Sequence, residues 1–168
     1  SSGGAAKIGF SGGMDVRLAF TDYVNWSANL NVSLNSMDEQ PFRSSFPGFT
    51  VSVGSWTTIW ALTGLGLRGT ISPEVKLFCN GEIGALIGSS PEFSVSGFVS
   101  GQYVTLSQKS STAVGFAYSF RGGLEISSFL FGVRYCSGKP KYDVTATGGG
   151  FSSSGTFEQS TSLIQVYA

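Results

Sequence analysis

The chain has no histidine, and that absence excludes more than any residue it contains. Ser-His-Asp and Cys-His catalysis are removed, as is every zinc site built on imidazole. Cysteine is nearly absent too. Cys79 and Cys136 are the only two, too few for a thiolate cluster or a disulfide framework. Charge is scarce at 12% of residues, about half the share in an ordinary soluble domain, and ten basic residues balance ten acidic ones. No basic patch forms, so nucleic-acid binding is not expected. The start, Ser1-Ser2-Gly3-Gly4, has neither a basic segment nor an apolar run, so it reads as a mature form rather than a signal peptide. Ser44 to Leu67 carries no charge and is long enough to span a bilayer as a helix. Its Pro47, four glycines and many Ser, Thr and Val residues argue against a helix and for strands.

What the chain has is aromatics (14%), 24 glycines and a strong period of two over its 168 residues, the length of a single domain. In Ala6–Phe20 the even positions Ile8, Phe10, Met14, Val16, Leu18 and Phe20 oppose Lys7, Ser11, Asp15 and Arg17. Val24, Trp26, Leu30, Val32 and Leu34 alternate with Asn25, Ser27, Asn29, Asn31, Ser33 and Asn35. A strand between two different environments has this pattern. Further strands are expected over Phe49–Thr70, Val75–Gly88, Ala113–Ile126, Phe129–Cys136 and Phe157–Ala168. In the first of these, Trp60 and Leu62 break the parity, which predicts a bulge or a shared face. Short turns fall at 21–23, 71–74 and 127–128. Long polar loops fall near 36–48, 89–111 and 138–155. Short turns on one side and long loops on the other are the asymmetry of membrane β-barrels. The strands, at about 12–16 residues, exceed the ~9–11 that a tilted strand needs to cross, so some should project beyond the bilayer.

Periodicity does not say which face points inward, but composition does. The less apolar face is Gly, Ala, Ser and Asn with few charges, poor material for a water-exposed surface and suitable for a narrow lumen. The predicted lumen charges are Lys7, Asp15, Arg17, Arg68, Lys76, Glu82, Arg121, Glu125 and Arg134. Both signs are present, as an internal salt-bridge network requires. They fill the lumen and fix strand register, or they line a polar gate; filling is the preferred reading.

The chain resembles the small outer-membrane β-barrel proteins of Gram-negative bacteria, of the OmpA/OmpX-like type typical of Bacteroidetes. The resemblance rests on Gly9-Phe10-Ser11-Gly12-Gly13-Met14-Asp15-Val16 with Phe20-Thr21-Asp22, on Ile71-Ser72-Pro73-Glu74-Val75-Lys76-Leu77, and on Gly115-Phe116-Ala117-Tyr118-Ser119-Phe120. Gly132-Val133-Arg134-Tyr135, Gly138-Lys139-Pro140-Lys141-Tyr142-Asp143 and Gln159–Val166 also carry it. It implies an all-β, antiparallel, up-and-down transmembrane barrel of eight strands over residues 1–168, located in the bacterial outer membrane. It implies lipid and lipopolysaccharide as surroundings, other outer-membrane proteins as partners through the long loops, no cofactor, no metal and no enzymatic activity. Seven strands are clear, and Phe93–Leu106 is the candidate for an eighth. The family ends on an aromatic residue and this sequence on Tyr167-Ala168, so trimmed ends are the other expectation.

Of the remaining features, Cys79 and Cys136 fall on opposite faces, which predicts two free thiols. Asn25, Asn29, Asn31 and Asn35 predict a hydrogen-bonded row facing the lumen. Asn31-Val32-Ser33 fits a glycosylation sequon but lies in a strand interior. Trp26, Trp56, Trp60, Tyr23, Tyr103 and Tyr135 are candidates for interfacial girdles. Asp38-Glu39 is weak evidence for a cation site, since calcium takes 6–8 oxygen ligands. A narrow pore and a soluble barrel with its apolar face inward are the alternatives to a packed membrane barrel.

Overall fold

The structure, a computed structural model, describes residues 9–127, 129–148 and 150–167. In chain order the elements are β1 (Phe10–Ala19), β2 (Val24–Ser36), a short helix α1 (Gln40–Ser45), β3 (Thr50–Val53), β4 (Ser55–Ser72) and β5 (Val75–Ser89). They continue with β6 (Phe93–Val99), β7 (Gln102–Ser110), β8 (Thr112–Ile126), β9 (Phe129–Gly138), β10 (Lys141–Gly148), β11 (Phe151–Glu158) and β12 (Thr161–Tyr167). No helix among the described residues is long and apolar enough to cross a membrane.

Seven strands, in the order β1-β2-β4-β5-β8-β9-β12, form one antiparallel sheet. The sheet curls into a half-barrel. Asp15 on β1 reaches Arg121 on β8 and Arg134 on β9, although β2, β4 and β5 lie between β1 and β8 in the sheet. Such contacts are made only across a concave side. Among the described residues no ladder joins β12 to β1, and side chains bridge the open side: Gln165 Nε2 donates to Ser11 Oγ at 2.7 Å and to Asn31 Oδ1 at 3.0 Å.

The alternation read from the sequence sets the two faces. The convex face carries Phe10, Met14, Leu30, Leu65, Leu67, Ile83, Phe116, Phe120, Phe131, Ile164 and Val166, all exposed. The concave face carries Asn25, Ser27, Asn29, Asn31, Ser33, Asn80, Glu82, Ser119, Arg121 and Arg134, all buried. Glycines permit the tight curl: a Cβ on Gly64 would collide with the Gly81 carbonyl, and one on Gly84 with that of Ala61. Trp60 and Leu62 also face inward, where they pack with Leu86, Ala117 and Cys136 into an apolar plug. The expected bulge at this place is absent, because the pairing of β4 with β2 is regular from Ser55 to Leu67. The plug, not a backbone irregularity, explains the broken parity.

The long loops contain strands. β11-β10-β7-β6-β3 form a second, five-stranded sheet. Each of its members continues a wall strand in sequence: β3 leads into β4, β6 follows β5, β7 leads into β8, β10 follows β9 and β11 leads into β12. Its order repeats that of the wall strands it extends. Breaks separate the two sheets at Gly54, at 90–92, at Ser111, at 139–140 and at 159–160. Two corrections follow. Phe93–Leu106 belongs to the hairpin β6–β7 of the second sheet, so it does not supply an eighth wall strand. The regions 89–111 and 138–155 are largely paired hairpins rather than loops. At the junction Tyr142 is buried, stacks on Phe157 with ring centroids 5.3 Å apart, and meets Trp56 edge-on at 5.6 Å.

Candidate functional site

The concave wall is built from the inward positions of successive strands. Period-two alternation puts Asp15 and Arg17 of β1 on the same face, and antiparallel register sets Asn80 of β5 beside Arg121 of β8 and Glu82 beside Ser119. Arg121 and Arg134 occupy opposite register positions on β8 and β9. Two adjacent guanidiniums repel unless carboxylates lie between them. Glu82 and Asp15 fill that role. Arg121 Nη2 lies 2.9 Å from Glu82 Oε1, and its Nη1 pairs with Asp15. Arg134 Nη2 lies 3.2 Å from Asp15 Oδ2 and 3.7 Å from Glu82 Oε2. Arg17 Nε adds a 3.2 Å contact to Asp15 Oδ1, and its guanidinium carbon sits 4.2 Å from the Phe78 ring centre.

Neutral groups complete the network. Ser27 and Ser119 hydroxyls donate to Glu82 at 2.9 and 2.7 Å. Arg134 Nη1 donates to Asn29 Oδ1 at 2.8 Å. Asn80 Nδ2 donates to Asn25 Oδ1 at 2.8 Å and to Ser27 Oγ at 3.2 Å. Side chains of β1, β2, β5, β8 and β9 are thereby tied across the trough, and Gln165 joins β12 to β1 and β2. Charge-assisted bonds of this kind are shorter and stronger than neutral ones, and a low-dielectric interior strengthens them.

Of the predicted lumen charges, Asp15, Arg17, Glu82, Arg121 and Arg134 come together in this cluster. Lys76 and Glu125 make a separate pair at 3.8 Å nearer the short turns. Arg68 has the inward parity, is partly exposed, and has no ion pair among the described residues. Lys7 lies outside the described residues. The asparagine row is inward as expected, though Asn25, Asn29 and Asn31 bond to partners on other strands rather than to one another.

The aromatic expectations divide. Tyr23 and Tyr135 are on the outer surface and Trp26 shares the outward parity of β2, while Trp60 is buried in the plug and Trp56 packs against Tyr142, so those two form no girdle. Tyr103 sits beyond the wall strands, against Phe98 at the end of the hairpin β6–β7. Both cysteines are free, Cys79 exposed and Cys136 buried. Glu39 pairs with Arg43 at 2.7 Å and Asp38 accepts the backbone N–H of Gln40 at 3.2 Å. No group of three or more potential metal ligands occurs among the described residues.

Sequence reasoning missed Ser27, Ser119, Asn80 and Gln165 as members of the network. Their inward parity was visible, but which of them meet across the trough depends on curvature that alternation does not encode. A cavity of about 440 Å³ lies beside the cluster, at the open side between β1 and β12.

No family model, curated protein or solved structure matches the chain.

Proposed function

We propose that the chain is a small integral outer-membrane β-barrel, non-enzymatic, with a structural, anchoring or surface-interaction role. The observation that carries this reading is the inverted surface. The exposed face of the wall is a continuous apolar band, and the charged and amide side chains are inside. Exposed apolar patches on soluble monomers rarely exceed a few hundred Å². A band that follows all seven wall strands suits lipid. The wall strands β4, β5 and β8, at 18, 15 and 15 residues, are long enough to cross while tilted.

The closed form we propose has eight strands. Seven alternating strands leave β1 and β12 running in the same direction, so one more strand, antiparallel to both, completes an even-numbered barrel. The second sheet extends the wall past the apolar band and offers the surface for contact with other envelope proteins. Lipid and lipopolysaccharide are the proposed neighbours of the band.

Dependence of folding on detergent tests the reading. The expected result is a β circular-dichroism spectrum and a heat-shifted gel band only in micelles. A monomeric, folded protein in plain buffer would overturn it and favour the soluble ligand-binding alternative.

A further inference from the structure

We propose that the cavity at the open side of the trough is a binding site for a carboxylate. Three guanidiniums, those of Arg17, Arg121 and Arg134, share two carboxylates, Asp15 and Glu82. The cluster therefore carries one surplus positive charge. Its acceptors are also exhausted. An ionised carboxylate offers about four lone-pair sites. Glu82 already receives Ser27, Ser119, Arg121 and Arg134. Asp15 receives Arg17, Asn29, Arg121 through two nitrogens, and Arg134.

Donors are left over. Arg17 Nη2, Arg121 Nε, Arg134 Nε and the Tyr167 hydroxyl are buried and have no hydrogen-bond partner among the described residues. All four of these residues line the same cavity of about 440 Å³. Buried polar groups are nearly always satisfied, and here the side chains that carry the unsatisfied donors also line the space beside the surplus positive charge. A singly charged oxyanion answers both. The planar guanidinium fork matches the carboxylate geometry. Met14 and Val166, on the outward faces of the two strands that flank the opening, also line the cavity. An acyl chain attached to the carboxylate can lie across them. The ligand is therefore either a free carboxylate or the headgroup of an amphiphile. The site rests on the open, seven-stranded trough; a strand seated between β1 and β12 in the proposed closed form would cover the opening and leave the space to a free carboxylate.

Calorimetric titration of the folded protein in non-ionic micelles, with acetate and with decanoate, tests the proposal. Folding is checked separately by circular dichroism. Saturable binding at one equivalent per chain is expected. Arg17→Gln should weaken it about tenfold or more, because it removes the surplus charge while leaving Arg121 and Arg134 balanced by Asp15 and Glu82. Tyr167→Phe, which removes only a hydroxyl, should weaken it less and serves as the second variant if Arg17→Gln does not fold. Comparable binding of both ligands identifies a free carboxylate, and saturable binding of decanoate alone identifies an amphiphile. No saturable binding of either ligand, or binding unchanged in both variants, would overturn the proposal.

Discussion

Replacing Glu82 with Gln keeps one acceptor oxygen where Ser27 and Ser119 use two, and removes the charge that separates Arg121 from Arg134. Three guanidiniums would then share one carboxylate in a buried site. The expected loss is about 3–5 kcal/mol, the usual result of breaking one side of a buried ion pair. A lower urea midpoint in micelles at unchanged slope would show it, and an unchanged midpoint would mean that the cluster is hydrated well enough to tolerate the imbalance. Tyr142, beyond the wall strands at the junction of the two sheets, gives a pH signature. Burial pushes its phenol up to about 12 from an ordinary 10. Between these values the unfolded chain releases the proton and the folded chain does not. Stability should therefore be constant below pH 10 and fall as pH rises toward 12. Tyr142→Phe should remove Tyr142's share of that fall at little cost, since the hydroxyl has no partner.

At the scale of elements, the wall strands were legible and the second sheet was not. Val24–Leu34 shows clean alternation because one side belongs to the apolar convex face and the other to a crowded polar interior. The strands of the second sheet lack that contrast. Phe151–Glu158 is exposed along almost its whole length, so nothing selects apolar residues at every second position, and Ser and Thr read as loop. The signal that existed was Ser100-Gly101. Both residues have positive φ, 52° and 83°, and they join β6 to β7 directly, as a two-residue type I′ turn requires. Gly101→Ala should cost about 1–2 kcal/mol, the penalty of the left-handed region for a residue with a Cβ. The loss should appear as faster local amide exchange in β6 and β7, with the wall strands unaffected. Uniform exchange changes across both sheets would show instead that they fold as one unit. Trp60 and Leu62 are the converse case. Their inward position was visible in the sequence, but the plug that accounts for it is formed by β5, β8 and β9 across the trough.

For the whole molecule, the outward apolar band predicts how charge is tolerated with depth. Ile83 lies within β5, well away from the short turns, and Ile126 at the end of β8 beside them. In a bilayer Ile83→Arg should cost about 2–4 kcal/mol and Ile126→Arg about 0–1 kcal/mol. Equal, small costs at both positions, measured by unfolding from lipid vesicles, would indicate that the face meets water. The site was partly readable at this scale. The sequence shows which charges share a face. It does not show that Asp15 meets Arg121 and Arg134, because that depends on how far the sheet has curled.

The same contacts have a consequence for the order of events during folding. Asp15 depends on Arg121 and Arg134, which lie 106 and 119 residues further along the chain, and Ser11 is joined to Gln165 across 154. β1 thus carries a carboxylate whose principal partners are made more than a hundred residues later. Neighbouring strands can pair in sequence, but the polar interior cannot be neutralised until β8 and β9 are in place. Contacts of such long sequence separation make folding slow. The late, rate-limiting event should be the joining of the two ends, and until then the chain has to be kept from associating through its unfinished interior.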